Sequence, residues 1–86
     1  MSLATVWWPE AEEDLRELRS WRDAAWIDNE VRRYAEDGVG DLRRVPLPSG
    51  RIASVLFLPG YRVLVSLDRA ARRLHVWRVL RAVPRH

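Results

Sequence analysis

The chain has 86 residues, enough for one domain and one core but not two, and its 48% hydrophobic and 31% charged composition is that of a globular protein. No stretch approaches the roughly 18 consecutive apolar residues of a membrane helix, and the start Met1-Ser2-Leu3-Ala4 lacks the basic and apolar segments of a secretory leader; with no cysteine to staple a secreted fold, a cytoplasmic protein with no membrane partner is expected. Charge is segregated: residues 1–43 hold 6 arginines against 11 acids, residues 44–86 hold 9 arginines against Asp68 alone.

Leu3 to Trp8 is short, apolar and rich in β-favouring side chains, and it stops at Pro9, so it reads as a first strand. Pro9 suits the opening turn of a helix, and Glu10, Glu12, Glu13 and Asp14 set negative charge against its positive end. Ala11, Leu15 and Leu18 then draw one apolar stripe, which leaves the neighbouring acids on the solvent side rather than at a catalytic site. Ser20 with Asp23 three residues on resembles a capping box, and Ala24, Ile27, Val31 and Tyr34 give the stripe of a second helix. Gly38 offers the left-handed residue that ends it, so a helical hairpin is expected over residues 9–37.

Leu42 to Pro48 is extended but punctuated by Pro46 and Pro48, which leaves an edge strand or a loop. Arg51 to Leu58, Tyr61 to Leu67 and Arg72 to Leu80 are three runs separated by turn chemistry at Pro59-Gly60 and at Asp68 to Ala71, the pattern of an antiparallel meander. In the middle run Tyr61, Val63, Val65 and Leu67 alternate with Arg62, Leu64 and Ser66, placing Arg62 on the face away from the core. The last run breaks parity, since Leu74, Val76 and Leu80 share a phase with Arg78; a bulge or burial on both faces would account for it. The expected fold is a single α+β domain over residues 1–86, with a strand, a two-helix hairpin and a three-stranded antiparallel meander, and with both helices on one face of the sheet.

The basic second half implies an anionic partner, nucleic acid before others, with a solvated basic surface as the competing reading. All 15 cations are arginine, which GC-rich codon usage explains as well as a need for the planar fork that grips phosphate. Five tryptophans either fill the core or leave one or two exposed at a partner site or base-stacking surface.

Trp8-Pro9-Glu10-Ala11-Glu12-Glu13-Asp14-Leu15 resembles the strand-to-helix opening of the RelE/ParE toxin superfamily. Pro59-Gly60-Tyr61-Arg62-Val63-Leu64 is similar to its Gly-Tyr-Arg strand, and Val76-Trp77-Arg78-Val79-Leu80-Arg81 to its last strand with a basic end. Order and spacing agree from about Ala4 to Arg81, and the short hairpin resembles RelE or HigB more than ParE. The resemblance implies a toxin of a type II toxin–antitoxin system, silenced by a cognate antitoxin, whose RelE-like members cut messenger RNA on the ribosome and whose ParE-like members poison DNA gyrase. By the same resemblance Arg62 would stabilise phosphate charge, with Arg81 as a second basic group after the last strand. Two departures stand out: Ala53 and Val55 occupy positions where RelE carries lysines, and the tyrosine near the family C-terminus is missing.

Cutting RNA through its 2′-hydroxyl needs a base for that proton, a cation for the crowded phosphate and an acid for the departing oxygen. The titratable candidates are His75, His86 and the Tyr61 phenol, although a histidine in a strand is more often structural and His86 is the terminal residue. Arg43, Arg44, Arg51 and Arg78 could track an RNA backbone. Two histidines and no cysteine make no metal site and no Gly-rich phosphate loop occurs, so no cofactor is expected. Three functions remain open: a metal-independent endoribonuclease that inhibits translation, a non-enzymatic gyrase inhibitor, and a non-toxic interaction protein that keeps the fold.

Overall fold

A computed structural model describes residues 2–82 of the chain. Strand β1 (Ala4–Trp7) leads into helix α1 (Pro9–Arg16) and then α2 (Trp21–Asp37), followed by β2 (Asp41–Pro46), β3 (Ile52–Leu58), β4 (Tyr61–Asp68) and β5 (Arg73–Arg81). All five strands form one sheet in the order β1-β5-β4-β3-β2. Strands β2 to β5 are antiparallel neighbours, while β1 runs parallel to β5 and closes the opposite edge. The expected α+β order is present. The segment left open between strand and loop is the edge strand β2, where Pro46 is tolerated as the last residue.

Local chemistry places the helices. Pro9 opens α1 with Glu10 and Glu12 in its first turn, and the Ser20 hydroxyl caps α2 by accepting the Asp23 N–H at 3.2 Å. Gly38, at φ 70°, ends α2 in the left-handed conformation, and its N–H returns to the Tyr34 carbonyl at 2.9 Å. Neither short helix is stable alone, and each buries one stripe, Ala11 from α1 and Ile27, Val31 and Ala35 from α2.

These helical side chains cluster with Leu56, Leu58, Tyr61, Val63, Val65, Leu74, Val76 and Val79. The register sets Leu56 opposite Val63, Leu58 opposite Tyr61 and Val63 opposite Val79, so those strand residues share one face and the helices lie against it. The other face is open. The broken parity of the last strand is a β-bulge: Leu64 pairs with Arg78 but Val65 pairs with Val76, which leaves Trp77 as the extra residue. The bulge resets the alternation, so Leu74 and Val76 point inward before it and Val79 after it, while Trp77 and Arg78 are both exposed.

Candidate nucleic-acid interface

The open face is read directly from the pairing. Asp41 opposes Phe57, Phe57 opposes Arg62 and Arg62 opposes Leu80, forming one row across β2, β3, β4 and β5. The next row runs Arg43, Val55, Leu64, Arg78, and a third holds Ser66 and His75 beside the bulged Trp77. Polar, aromatic and apolar groups therefore alternate on a surface that no helix covers.

Arg62 is the best-organised cation on this face. Its Nη1 donates to the carbonyls of Leu58 at 2.9 Å and Tyr61 at 2.8 Å, which folds the side chain over the β3–β4 turn, and its guanidinium carbon lies 4.2 Å from the Phe57 ring centroid. Among the described residues its Nε and Nη2 donate to no protein group, so part of the fork is uncommitted while the rest is fixed. Arg43 approaches the same ring at 4.2 Å and is held by Asp41 through Nε at 3.1 Å and Nη2 at 2.8 Å. These bonds from Arg43 hold the Asp41 carboxyl below its ordinary range, with smaller help from the Arg43 and Arg62 charges. Both guanidiniums lie on one phenyl ring, but Arg43 is neutralised by Asp41, which leaves Arg62 as the cation of this row suited to grip a phosphate.

His75 sits farther along the same face in an aromatic cluster. The Trp8 indole N–H donates to His75 Nδ1 at 3.0 Å, and the Trp77 indole N–H donates to the Ser66 hydroxyl at 2.6 Å. Because indole nitrogen can only donate, a neutral His75 carries its proton on Nε2, and the nitrogen that would have to accept a proton already receives the Trp8 N–H. This geometry opposes use of His75 as a general base. Tyr61 faces the helices instead, donating its hydroxyl to Asp23 at 2.7 Å; that bond, with burial and the Asp23 charge, raises the phenol above its ordinary value and keeps it protonated.

The remaining expected site residues disperse. Arg81 is the last residue of β5 and opposes Tyr61, so it leaves the sheet on the helix side, opposite Arg62, rather than following the strand. Arg44 opposes Ser54, which shares the inward phase of Leu56, so it too faces away from Arg62. Arg51 is exposed in the β2–β3 turn, about 20 Å along β3 from Phe57. Arg78 is tied to Asp14 of α1 by bonds of 2.8 and 3.1 Å. His86 lies outside the described residues. Of the arginines expected to track RNA, Arg43 and Arg78 share the strand phase of Arg62, each paired with a carboxylate, Asp41 or Asp14.

Ala53 and Val55 are on the open face, so lysines there would have stood on the same surface as Arg62. Sequence reading missed Phe57, whose outward phase follows from its place between inward Leu56 and Leu58. It also missed Asp14, whose partner is 64 residues away and carries no local signal. Among the described residues no group of three or more His, Cys, Asp or Glu could hold a metal ion, and no helix is long and apolar enough to cross a membrane.

No family model matches the sequence, and no curated protein is significantly similar to it. Among solved structures, a chain of the RelBE2 toxin–antitoxin complex from Mycobacterium tuberculosis superposes with a TM-score of 0.80 at 14% identity, over 95% of this chain and 93% of that one. At that identity the likeness is one of fold, and it agrees with the element order, the mixed sheet and the helical hairpin described above. The chain shares its fold with that chain of the toxin–antitoxin complex.

Proposed function

We propose that the protein is the toxin of a toxin–antitoxin pair, which binds single-stranded messenger RNA on its open sheet face, cuts it and so inhibits translation in the cytoplasm until a cognate antitoxin covers that face. The observation that carries this reading is the Arg62 guanidinium, held by two carbonyls and a ring while its Nε and Nη2 have no partner among the described residues. The fold shared with a chain of a toxin–antitoxin complex supports the antitoxin partner.

In the proposed reaction the 2′-oxygen attacks the adjacent phosphorus and the bond to the 5′-oxygen breaks. Arg62 offsets the charge that gathers on the phosphate oxygens. The 2′-hydroxyl proton passes to solvent hydroxide and the departing oxygen takes a proton from water, since neither His75 nor Tyr61 is arranged to accept one. Expression of the protein should arrest growth and leave new 5′-hydroxyl ends in messenger RNA. Arg62→Ala should lower cutting by roughly 100-fold or more, as loss of one preorganised donor to a developing anion does. Growth arrest that persists undiminished in a folded Arg62→Ala protein would refute the assignment.

A second reading, a non-enzymatic gyrase inhibitor, is favoured by the same lack of a proton acceptor and by apolar Ala53 and Val55. It predicts intact transcripts and inhibited supercoiling by the purified protein.

A further inference from the structure

The cluster at the β1–α1 junction has a use that the phosphate chemistry does not account for. Trp8 and Trp77 stack with centroids 4.3 Å apart and planes inclined by 23°, and His75 lies 5.8 Å from Trp77 at 22°. Both tryptophans are more than a third exposed, on a face that no helix covers. Their one polar atom is already satisfied in each case, by His75 Nδ1 and by the Ser66 hydroxyl. Two rings whose N–H groups are bonded within the protein and which stack on each other are fixed in orientation and leave only outer π faces and edges for a ligand.

The position of the pair is set by the backbone. Trp77 reaches this face because the bulge adds a residue opposite the Leu64/Val65 step, and Trp8 is placed beside it because its N–H continues the β1 pairing to the Val76 carbonyl at 3.0 Å. Ser66, which holds Trp77, is four residues from Arg62 on β4, about 13 Å along the strand. On the other side Arg73 is two residues from His75 with the same outward phase, and is exposed. A flat aromatic surface between two cations on one sheet face complements a single strand, whose bases stack while its phosphates pair with guanidiniums.

We infer that Trp8 and Trp77 form a base-stacking shelf that receives an unpaired RNA base a short distance along the strand from the phosphate held by Arg62. The inference rests on the reading of the open face as an RNA surface and adds a site to it. Stacking is insensitive to salt, whereas each neutralised phosphate contributes about 0.7 to the slope of log affinity against log salt for single strands. The two contributions can be measured separately.

The test uses a fluorescent 12-nucleotide RNA of mixed sequence with 2′-O-methyl sugars, which cannot be cut through the 2′-oxygen, titrated by anisotropy at several salt concentrations. Trp8→Leu and Trp77→Leu should each weaken binding roughly tenfold, the usual loss for one stacked base, with the salt slope unchanged. Trp77→Phe keeps a ring but loses the bond to Ser66, and should lose no more than about threefold. Arg62→Ala should weaken binding and flatten the slope by about 0.7. Circular dichroism checks each fold, and if Trp77→Leu does not fold, Trp8→Leu and Trp77→Phe still decide the matter. Folded tryptophan variants that bind like wild type, while Arg62→Ala does not, would overturn the shelf and leave the RNA surface standing. Loss of antitoxin binding with RNA binding intact would make the pair a protein contact and also overturn it. Wild-type protein with no affinity for the oligonucleotide would overturn the RNA surface and the shelf together.

Discussion

Asp14 shows how one side chain joins helix to sheet. It lies in α1, accepts both Arg78 donors, and also takes the Val79 backbone N–H at 2.8 Å, standing in for a neighbouring strand where β1 no longer pairs with β5. Burial opposes its charge, but the bonds from Arg78 and Val79 and the Arg78 charge outweigh this and hold its carboxyl below the ordinary range. A group whose folded pKa is depressed contributes stability above its unfolded value, about 3.9 for aspartate, and loses it as pH falls through the folded one. Asp14→Asn should therefore cost about 1–2 kcal/mol in urea unfolding at pH 7, with the gap from wild type closing as pH drops below about 4. Equal stability of the two proteins at pH 7 would contradict this role. The pairing also removes Arg78 from the cations available to a ligand, something no local pattern in the sequence could reveal.

Among the elements, those governed by local chemistry were legible in advance and those governed by long-range pairing were not. The α2 cap, the Gly38 stop and the Pro59-Gly60 turn each depend on residues within four positions, and each is present as expected. Ser20→Ala should lower stability by about 1 kcal/mol in thermal or urea unfolding, because the Asp23 N–H loses its acceptor at the helix start. An unchanged midpoint would mean that solvent replaces the cap at no cost. The parallel docking of β1 on β5 depends on partners about 70 residues apart and the position of the bulge on the register of β5 against β4, and the uneven phase of the last strand signalled a disturbance without locating it. Arg81 illustrates the consequence. The family resemblance set it beside Arg62 as a second basic group, but the register sends the two side chains to opposite faces.

Across the molecule, the segregation of charge along the chain becomes a segregation between layers. The helices carry most of the acids, including the groove lined by Glu10, Glu13, Asp14 and Glu17 around Arg78, while the strands and their turns carry nine of the arginines. A layer so divided turns its helical side from a polyanion and its open side toward one. Within the strands the faces still differ, and Arg44 of β2, on the helix side, serves as an internal control for Arg62 of β4, on the open face. The salt dependence of RNA affinity for wild type, Arg62→Ala and Arg44→Ala tests the account most directly. Arg62→Ala should lower the slope by about 0.7, and Arg44→Ala should leave it unchanged. An Arg44→Ala protein that loses as much slope and affinity as Arg62→Ala would contradict it.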